Sequence, residues 1–161
     1  MTKLSYRLLP FSKRLFLSVV TLFLAFAVCF MLFQYQREKS YKSELLNTQL
    51  QNYNAQLYDF INENENFSID TLQHYVTTHM IPNLRVTLIT AEGEVLYDNT
   101  QKDISLFKNH SFRKEVQDAL MYGSGYSISR YSESLNGEEF FYSAHYYPSQ
   151  QLIIRSALRS E

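Results

Sequence analysis

The chain has 161 residues, 45% of them apolar, and a formal net charge of −1. This length suits one small domain with a membrane attachment rather than two domains, and the near-neutral charge argues against a nucleic-acid-binding protein.

A run without charged residues near the N-terminus predicts a transmembrane helix. It covers residues 15–33, and at ~1.5 Å per residue it spans roughly 28 Å, enough for the hydrocarbon core of a bilayer. The four charged residues before it are all basic, and all sixteen acidic residues follow it. The positive-inside rule therefore predicts a cytoplasmic tail at residues 1–14, an anchor in the inner (cytoplasmic) membrane, and a periplasmic or extracellular remainder.

Two other interpretations of this segment compete with an uncleaved anchor. Ala25-Phe26-Ala27 could be a signal-peptidase site, and Phe26-Ala27-Val28-Cys29 distantly resembles a lipobox. The apolar run continues past both sites, which favours the anchor. Cys29 is the only cysteine, so the exported part can form no internal disulfide and must depend on its apolar core.

Residues 34–66 are predicted to form a membrane-proximal signalling helix, because apolar residues recur there with heptad spacing. They are Leu46, Leu50, Tyr53, Leu57 and Phe60. This row could pack on its own domain or pair with a second copy of the chain, and both could hold at different turns. The polar stretch 62–66 is expected to end the helix.

A second, shorter helix follows, with Ser68 or Asp70 as its N-cap. Gln73 stands three residues after Asp70, as in a capping box, and Pro82 closes the segment.

From Leu84 the period changes to two, which predicts strands. Val86 and Leu88 share one face, and Arg85, Thr87 and Ile89 share the other. A turn at Glu92-Gly93 leads to a return strand at 95–97.

The next predicted helix has Ser111 as its cap and Gly123 as its stop. Its apolar stripe is Phe112, Val116, Ala119 and Leu120. Gly123-Ser124-Gly125 is too short for a phosphate loop and lacks the lysine of a Walker motif, so it is interpreted as a helix stop and strand entry.

Three further strands are predicted at 126–131, 139–147 and 152–158, with an Asn136-Gly137 turn between the first two. The fold class is therefore α+β: an N-terminal transmembrane helix, a long membrane-proximal helix, and a five-stranded antiparallel sheet flanked by helices in a domain at residues 67–161.

Four segments, in order, resemble a known family. "RVTLITAEGEVLYDN", "NHSFRKEVQDAL", "GSGYSISRYSES" and "FFYSAHYY" are similar to the extracytoplasmic sensor region of membrane sensor histidine kinases of the phosphate-regulon type, over about residues 83–158. Asn109, His110, Arg113 and Glu115 occupy family positions, whereas Phe112 stands where the family often has Asp.

The resemblance implies a PAS-like or Cache-like fold with strand order 2-1-5-4-3. It also implies a second membrane helix and a kinase core that lie outside this sequence, with a response regulator as the partner of that core. A homodimer is expected as well, in which part of the heptad row pairs with a second copy. The sequence is therefore expected to continue past Glu161. Alone it lacks a phosphoacceptor motif and a nucleotide lid, so this part has no catalytic core.

Two groups of residues are candidates for ligand binding. His110 and Arg113 could bind an anion at a helix N-terminus, or Asn109, His110 and Ser111 could simply cap that helix. Arg130, Tyr142 and His145 could line a pocket. The histidine spacing predicts no metal site, and no cofactor is predicted.

The preferred hypothesis is a sensory input region for a small-molecule or envelope signal. The alternative is a membrane-anchored adaptor that docks a protein by an exposed aromatic edge. A hydrolase is remote, because no nucleophile motif occurs.

Overall fold

The computed structural model describes residues 10–64, 68–79, 81–131 and 139–159, and the side chains of all these except 129–131 and 139. The elements are α1 (Phe11–Glu63), α2 (Ile69–Thr78), β1 (Arg85–Thr90), β2 (Val95–Asp98), a 3-10 turn (Ile104–Leu106), α3 (Lys114–Tyr122), β3 (Ser124–Tyr131), β4 (Glu139–Tyr147) and β5 (Leu152–Arg159). The predicted turn at Asn136-Gly137 lies outside the described residues.

All five strands form one antiparallel sheet in the order β2-β1-β5-β4-β3. β5 occupies the centre, where Thr87 of β1 pairs with Arg155 and Ser143 of β4 pairs with Ser156. The predicted α+β class and the strand order implied by the resemblance are confirmed.

Residues 1–42 and 43–161 form two separate units. In the first unit, α1 carries the apolar run, and among the described residues α1 is the one helix long and apolar enough to cross a bilayer. The side chains of that run are not covered by protein. The lone cysteine, Cys29, is exposed within it.

In the second unit, the C-terminal half of α1 and helix α2 cover one face of the sheet, here called the α1 face. The main apolar core lies there and includes Leu50, Tyr53, Leu57, Ile61, Leu72, Val76, Val86, Leu88, Phe141 and Ile154. Leu46 and Phe60 pack against its border. The predicted heptad row therefore packs on its own domain, which was the first of its two interpretations.

Helix α3 covers the opposite face, here called the α3 face. Val116 and Ala119 pack there with Ile89 and Ile153. The predicted division of β1 is confirmed, since Val86 and Leu88 lie in the first core and Ile89 lies in this one. Gly123 ends α3 with φ +88°, as predicted, and β3 begins at Ser124, two residues before the predicted start of that strand.

The start of α3 differs from its prediction. Arg113, not Ser111, is the N-cap, and its side chain makes no capping hydrogen bond. Asn109 Oδ1 accepts from the N–H of Ser111 (2.8 Å), and this local turn keeps the chain non-helical for two more residues. Phe112 is consequently 84% exposed and lies outside the apolar stripe, and Leu120 is also exposed.

The start of α2 settles another alternative. Ser68 is the N-cap, and its Oγ accepts from the N–H of Thr71 (3.2 Å). The capping box from Asp70 to Gln73 was wrong, because Gln73 lies beyond the first turn and its Oε1 accepts instead from the Tyr97 hydroxyl (2.7 Å).

Candidate functional site

Five buried polar side chains on the α3 face form what we call the arginine cluster. They are Arg85 and Thr87 of β1, Asp98 of β2, Glu115 of α3 and Arg155 of β5. β1 lies between β2 and β5, so it brings the carboxylate of one neighbour and the guanidinium of the other to the same region. Such groups are rarely buried unless they are paired.

Asp98 holds the outer half of the arginine cluster. Its Oδ2 accepts from Arg85 Nε (2.9 Å) and from Thr87 Oγ1 (2.9 Å). Its Oδ1 accepts from the N–H (3.0 Å) and hydroxyl (2.6 Å) of Thr100. Both carboxylate oxygens are therefore used to fix the chain that leaves β2.

Arg155 holds the inner half. Its Nη1 lies 3.3 Å from Glu115 Oε1, and its Nη2 donates to Thr87 Oγ1 at 3.3 Å. The guanidinium carbon lies 4.8 Å from the centre of the Tyr142 ring, a cation–π contact. Two cations and two anions thus balance each other, and a ligand that binds among them must replace a contact already made.

His110 lies beside the arginine cluster but is not a cation. Its Nδ1 donates to the carbonyl oxygen of Lys108 (2.6 Å), and its ring meets Phe107 edge-on. Burial, followed by the charge of Arg155, lowers the pKa of His110 to about 4. At neutral pH it therefore cannot supply the positive charge of the predicted anion site.

Arg113 stands three residues further on. Its backbone N–H donates to the carbonyl oxygen of His110 (3.0 Å), so the two predicted residues are joined through the backbone. Asn109 Nδ2 donates to the carbonyl oxygen of Glu92 (2.9 Å), which ties this loop to the β1–β2 turn. The described contacts of Asn109 and His110 are those of a tether, and anion binding by His110 and Arg113 stays a prediction.

The structure does not bring together the other predicted group. Tyr142 lies on the α3 face with Arg155, whereas His145 lies on the α1 face, so the two cannot line one pocket. β4 is a regular strand here, and its side chains alternate between faces. The side chain of Arg130 lies outside the described residues.

His145 belongs instead to a set of contacts that the sequence did not reveal, here called the amide seam: Asn47, Gln51 and Asn54 of α1 with Ser143 and His145 of β4. Gln51 Nε2 donates to Ser143 Oγ (2.8 Å) and to the carbonyl oxygen of Ala144 (3.0 Å). Gln51 Oε1 accepts from His145 Nδ1 (2.9 Å), and Ser143 Oγ donates to Asn47 Oδ1 (2.7 Å). Desolvation lowers the pKa of His145.

A signal for the amide seam was present. Asn47, Gln51, Asn54 and Tyr58 repeat with heptad spacing one position beyond the apolar row. Tyr58 stacks on Tyr147 with ring centres 3.7 Å apart, and its hydroxyl lies 2.8 Å from Ser149 Oγ. A polar row beside an apolar one on a helix indicates that both rows contact the protein.

Metal chemistry has no centre in the described part of the chain. No group of three or more His, Cys, Asp or Glu side chains lies close enough there to hold an ion.

No protein-family model matches the sequence, and the comparison with curated proteins gives no match. Solved structures do resemble it. The Bacillus subtilis YkuI protein, which has an EAL domain and was crystallised with c-di-GMP and calcium, matches 80% of this chain at 14% identity and a TM-score of 0.59. The match covers 36% of YkuI, so the chain spans about a third of that protein's length.

Two sensor domains match more distantly. A Cache chemosensory domain that recognises carboxylic acids has 14% identity and a TM-score of 0.47, with 80% of this chain and 97% of that one covered. The extracellular domain of rpHK1S-Z16, a candidate histidine kinase, has 15% identity and a TM-score of 0.45, with 56% and 37% covered. At 14% identity, the match to YkuI supports only the fold of this chain and not a role.

Proposed function

We propose that this chain is the extracytoplasmic input region of a membrane sensor protein. One observation carries the proposal: α1 is a single helix from the apolar run at residues 15–33 to the core of the sheet domain. Leu50 and Leu57, near its C-terminal end, are 0% exposed in that core. A helix that is both membrane anchor and core element can transmit a change in the packing of one to the other.

The amide seam gives this helix a second attachment to the sheet. Directional hydrogen bonds between Gln51 and β4 specify one register of α1, whereas apolar contacts alone tolerate small shifts. A signal that rearranges β4 or β5 would therefore change the position of α1. The signal acts only through its different affinities for the two arrangements.

The resemblance to phosphate-regulon sensors supports the finer proposal of a histidine kinase input. In that case the chain works as a homodimer with a kinase core, and a response regulator is the partner protein of that core. Because the predicted heptad row is used within the domain, a second copy would meet the exposed side of α1, which includes Leu45 and Asn52.

A hybrid protein tests the sensory role. It joins residues 1–161 to the second membrane helix and kinase core of a characterised sensor kinase that drives a reporter gene. We expect Gln51→Ala to change reporter output, because it removes the hydrogen bonds to Ser143, Ala144 and His145. Gln117→Ala, the same change at an exposed position of α3, is the matched control.

The proposal fails if the hybrid is present in the membrane and active, yet Gln51→Ala gives the same output as the parent hybrid and as Gln117→Ala. Topology is tested separately with single cysteines in a Cys29→Ser background. A membrane-impermeant maleimide should label Asp59→Cys in intact spheroplasts and Ser5→Cys only after lysis.

A second candidate is an adaptor that docks a protein partner. It is favoured by edge strand β3, where Tyr126 and Ile128 are each 44% exposed. Exposed apolar side chains on an edge strand are suited to pairing with another chain. If the chain is an adaptor, Tyr126→Ser should abolish binding of the partner protein. Gln51→Ala should then leave the reporter output of the hybrid unchanged.

A further inference from the structure

A cavity of about 400 Å³ opens on the α1 face, away from the arginine cluster. Four parts of the second unit enclose it: the last turns of α1, helix α2, the β1–β2 hairpin and the start of β5. They contribute Ile61, Ile69, Leu88 and Leu152, among others. Its volume lies near the lower end of the ~300–1,000 Å³ range of small-molecule sites.

The lining residues of this cavity fall into a buried group and an exposed group. Leu72 and Leu88 form the floor and are 1% and 3% exposed. Ile69 and Leu96 stand at the mouth and are 66% and 47% exposed. The cavity is therefore concave, and two large aliphatic side chains at its entrance are left in water.

Polar groups are few in this cavity, and Tyr97 and Gln150 supply them. Tyr97 contributes its ring, while its hydroxyl donates to Gln73 Oε1 (2.7 Å). The Gln150 side chain also lines the cavity, and its Nε2 donates to Asn62 Oδ1 (3.3 Å). The side-chain oxygen Oε1 of Gln150 can therefore accept a hydrogen bond from a donor group on a ligand.

The two faces of the sheet thus offer different chemistry. In the arginine cluster each guanidinium already contacts a carboxylate. These carboxylates belong to Asp98 and Glu115, which are 4% and 0% exposed. The cavity holds aliphatic walls and one acceptor. Aliphatic walls offer water few hydrogen-bond partners, so an apolar molecule that replaces the water in this cavity is favoured.

We propose that this cavity binds one small, mainly apolar molecule, aromatic or branched, that carries a single hydrogen-bond donor facing Gln150. Binding covers the exposed parts of Ile69 and Leu96. The molecule also touches Ile61 in the last turns of α1, so it lies directly against the helix that would carry a signal. The binding step itself does not depend on the sensory role, and the two can fail separately.

The test uses the full chain in phospholipid nanodiscs with ¹³C-labelled Ile and Leu methyl groups, and indole as the probe. Indole is a flat apolar ring with one N–H donor. We expect indole to shift the methyl signals of Ile61, Ile69, Leu72 and Leu96 in a saturable way. Ile89 and Ile153, on the α3 face, serve as internal controls and should not move.

Two rim variants and one control sharpen the result. Leu96→Trp and Ile69→Trp each introduce a large aromatic ring that fills the mouth of the cavity. We expect either change to weaken indole binding about tenfold or more. Leu106→Trp makes the same change at a leucine that is 68% exposed and does not line the cavity, so it should bind like the parent.

The proposal is overturned if indole shifts no cavity methyl signal, shifts the methyl signals of both faces alike, or binds the rim variants as tightly as the parent. It is also overturned if, without indole, the methyl groups of Leu72 and Leu88 show contacts to aromatic rings that belong neither to Tyr97 nor to the apolar core of the α1 face, or to rings of a second copy. Those contacts would mean that the cavity already has an occupant.

Discussion

Arg155 and Glu115 form an ion pair between the central strand and α3, with Nη1 and Oε1 3.3 Å apart and side chains 3% and 0% exposed. The pair joins the sheet to the helix at the middle of the α3 face. Such a pair contributes little over a well-packed apolar substitute, but removing one partner leaves the other charge buried.

Glu115→Gln should therefore lower the free energy of unfolding of residues 43–161 by about 3 kcal/mol. Urea denaturation followed by circular dichroism measures it. Glu94→Gln, at an exposed position, should change the value little. Equal effects of the two variants would show that the buried pair is not a major contributor.

Stability should fall as the pH falls from about 6.5 to about 4. The unfolded chain takes up a proton on His110 near its ordinary pKa of 6.5, whereas the folded chain resists until a pKa of about 4. The unfolded state therefore binds more protons in this window, which lowers stability by up to about 3 kcal/mol. His145, whose pKa is also lowered, acts in the same direction.

The difference between variants isolates the contribution of His110. His110→Gln should flatten the pH dependence of the unfolding free energy between pH 4 and 6.5. His74→Gln, at an exposed position, should show the same pH dependence as the parent. A parent curve and a His110→Gln curve of equal slope would contradict a buried neutral histidine.

Two glycines at the end of α3 should respond differently to the same change. A Cβ at Gly125 would lie 2.5 Å from Asp118 Cβ and 2.6 Å from the carbonyl oxygen of Glu115, so Gly125→Ala should cost about 2 kcal/mol or more. Gly123 has φ +88° and open space around it, so Gly123→Ala should cost about 1 kcal/mol from backbone strain alone. Thermal melting of the two variants should rank them in that order.

The proposed homodimer can be checked by oxidative cross-linking of single cysteines in a Cys29→Ser background. Leu45→Cys and Asn52→Cys lie on the exposed side of α1 and should give disulfide-linked dimers in membranes. Leu50→Cys and Leu57→Cys, at positions buried in the domain's own core, should give far less. Dimers formed most readily at the buried positions would restore the heptad row as the dimer interface.

The elements that the sequence predicted well are those with a strong apolar period. β1 could be divided between two cores because Val86, Leu88 and Ile89 alternate, and Gly123 marked the end of α3. The start of α3 was predicted two residues too early, because Ser111 is a good capping residue and Arg113, the actual N-cap, is not. The start of the helix depends on the backbone N–H group that donates to Asn109 Oδ1, and the sequence does not reveal that group.

The candidate site was harder to predict, for two reasons. Arg85 and Thr87 alternate with apolar residues and look like a solvent face, and only α3 and the neighbouring strands bury them. His145 and Tyr142, in contrast, are separated by an odd number of positions in one strand. Strand alternation alone excludes a shared face, so that error was avoidable from the sequence.

The position of β5 determines the order in which the domain can be assembled during synthesis. β5 is the last strand in the sequence, yet it pairs with both β1 and β4 and so separates the two hairpins. Before it is synthesised, the β1–β2 hairpin and the β3–β4 hairpin with α3 are separate, and a two-stranded hairpin alone is marginally stable in water. If residues 43–159 are exported as proposed, nearly all of them must leave the translocation channel before the five-stranded sheet can form. A chaperone that binds the chain during export would therefore bind it with the two hairpins still separate.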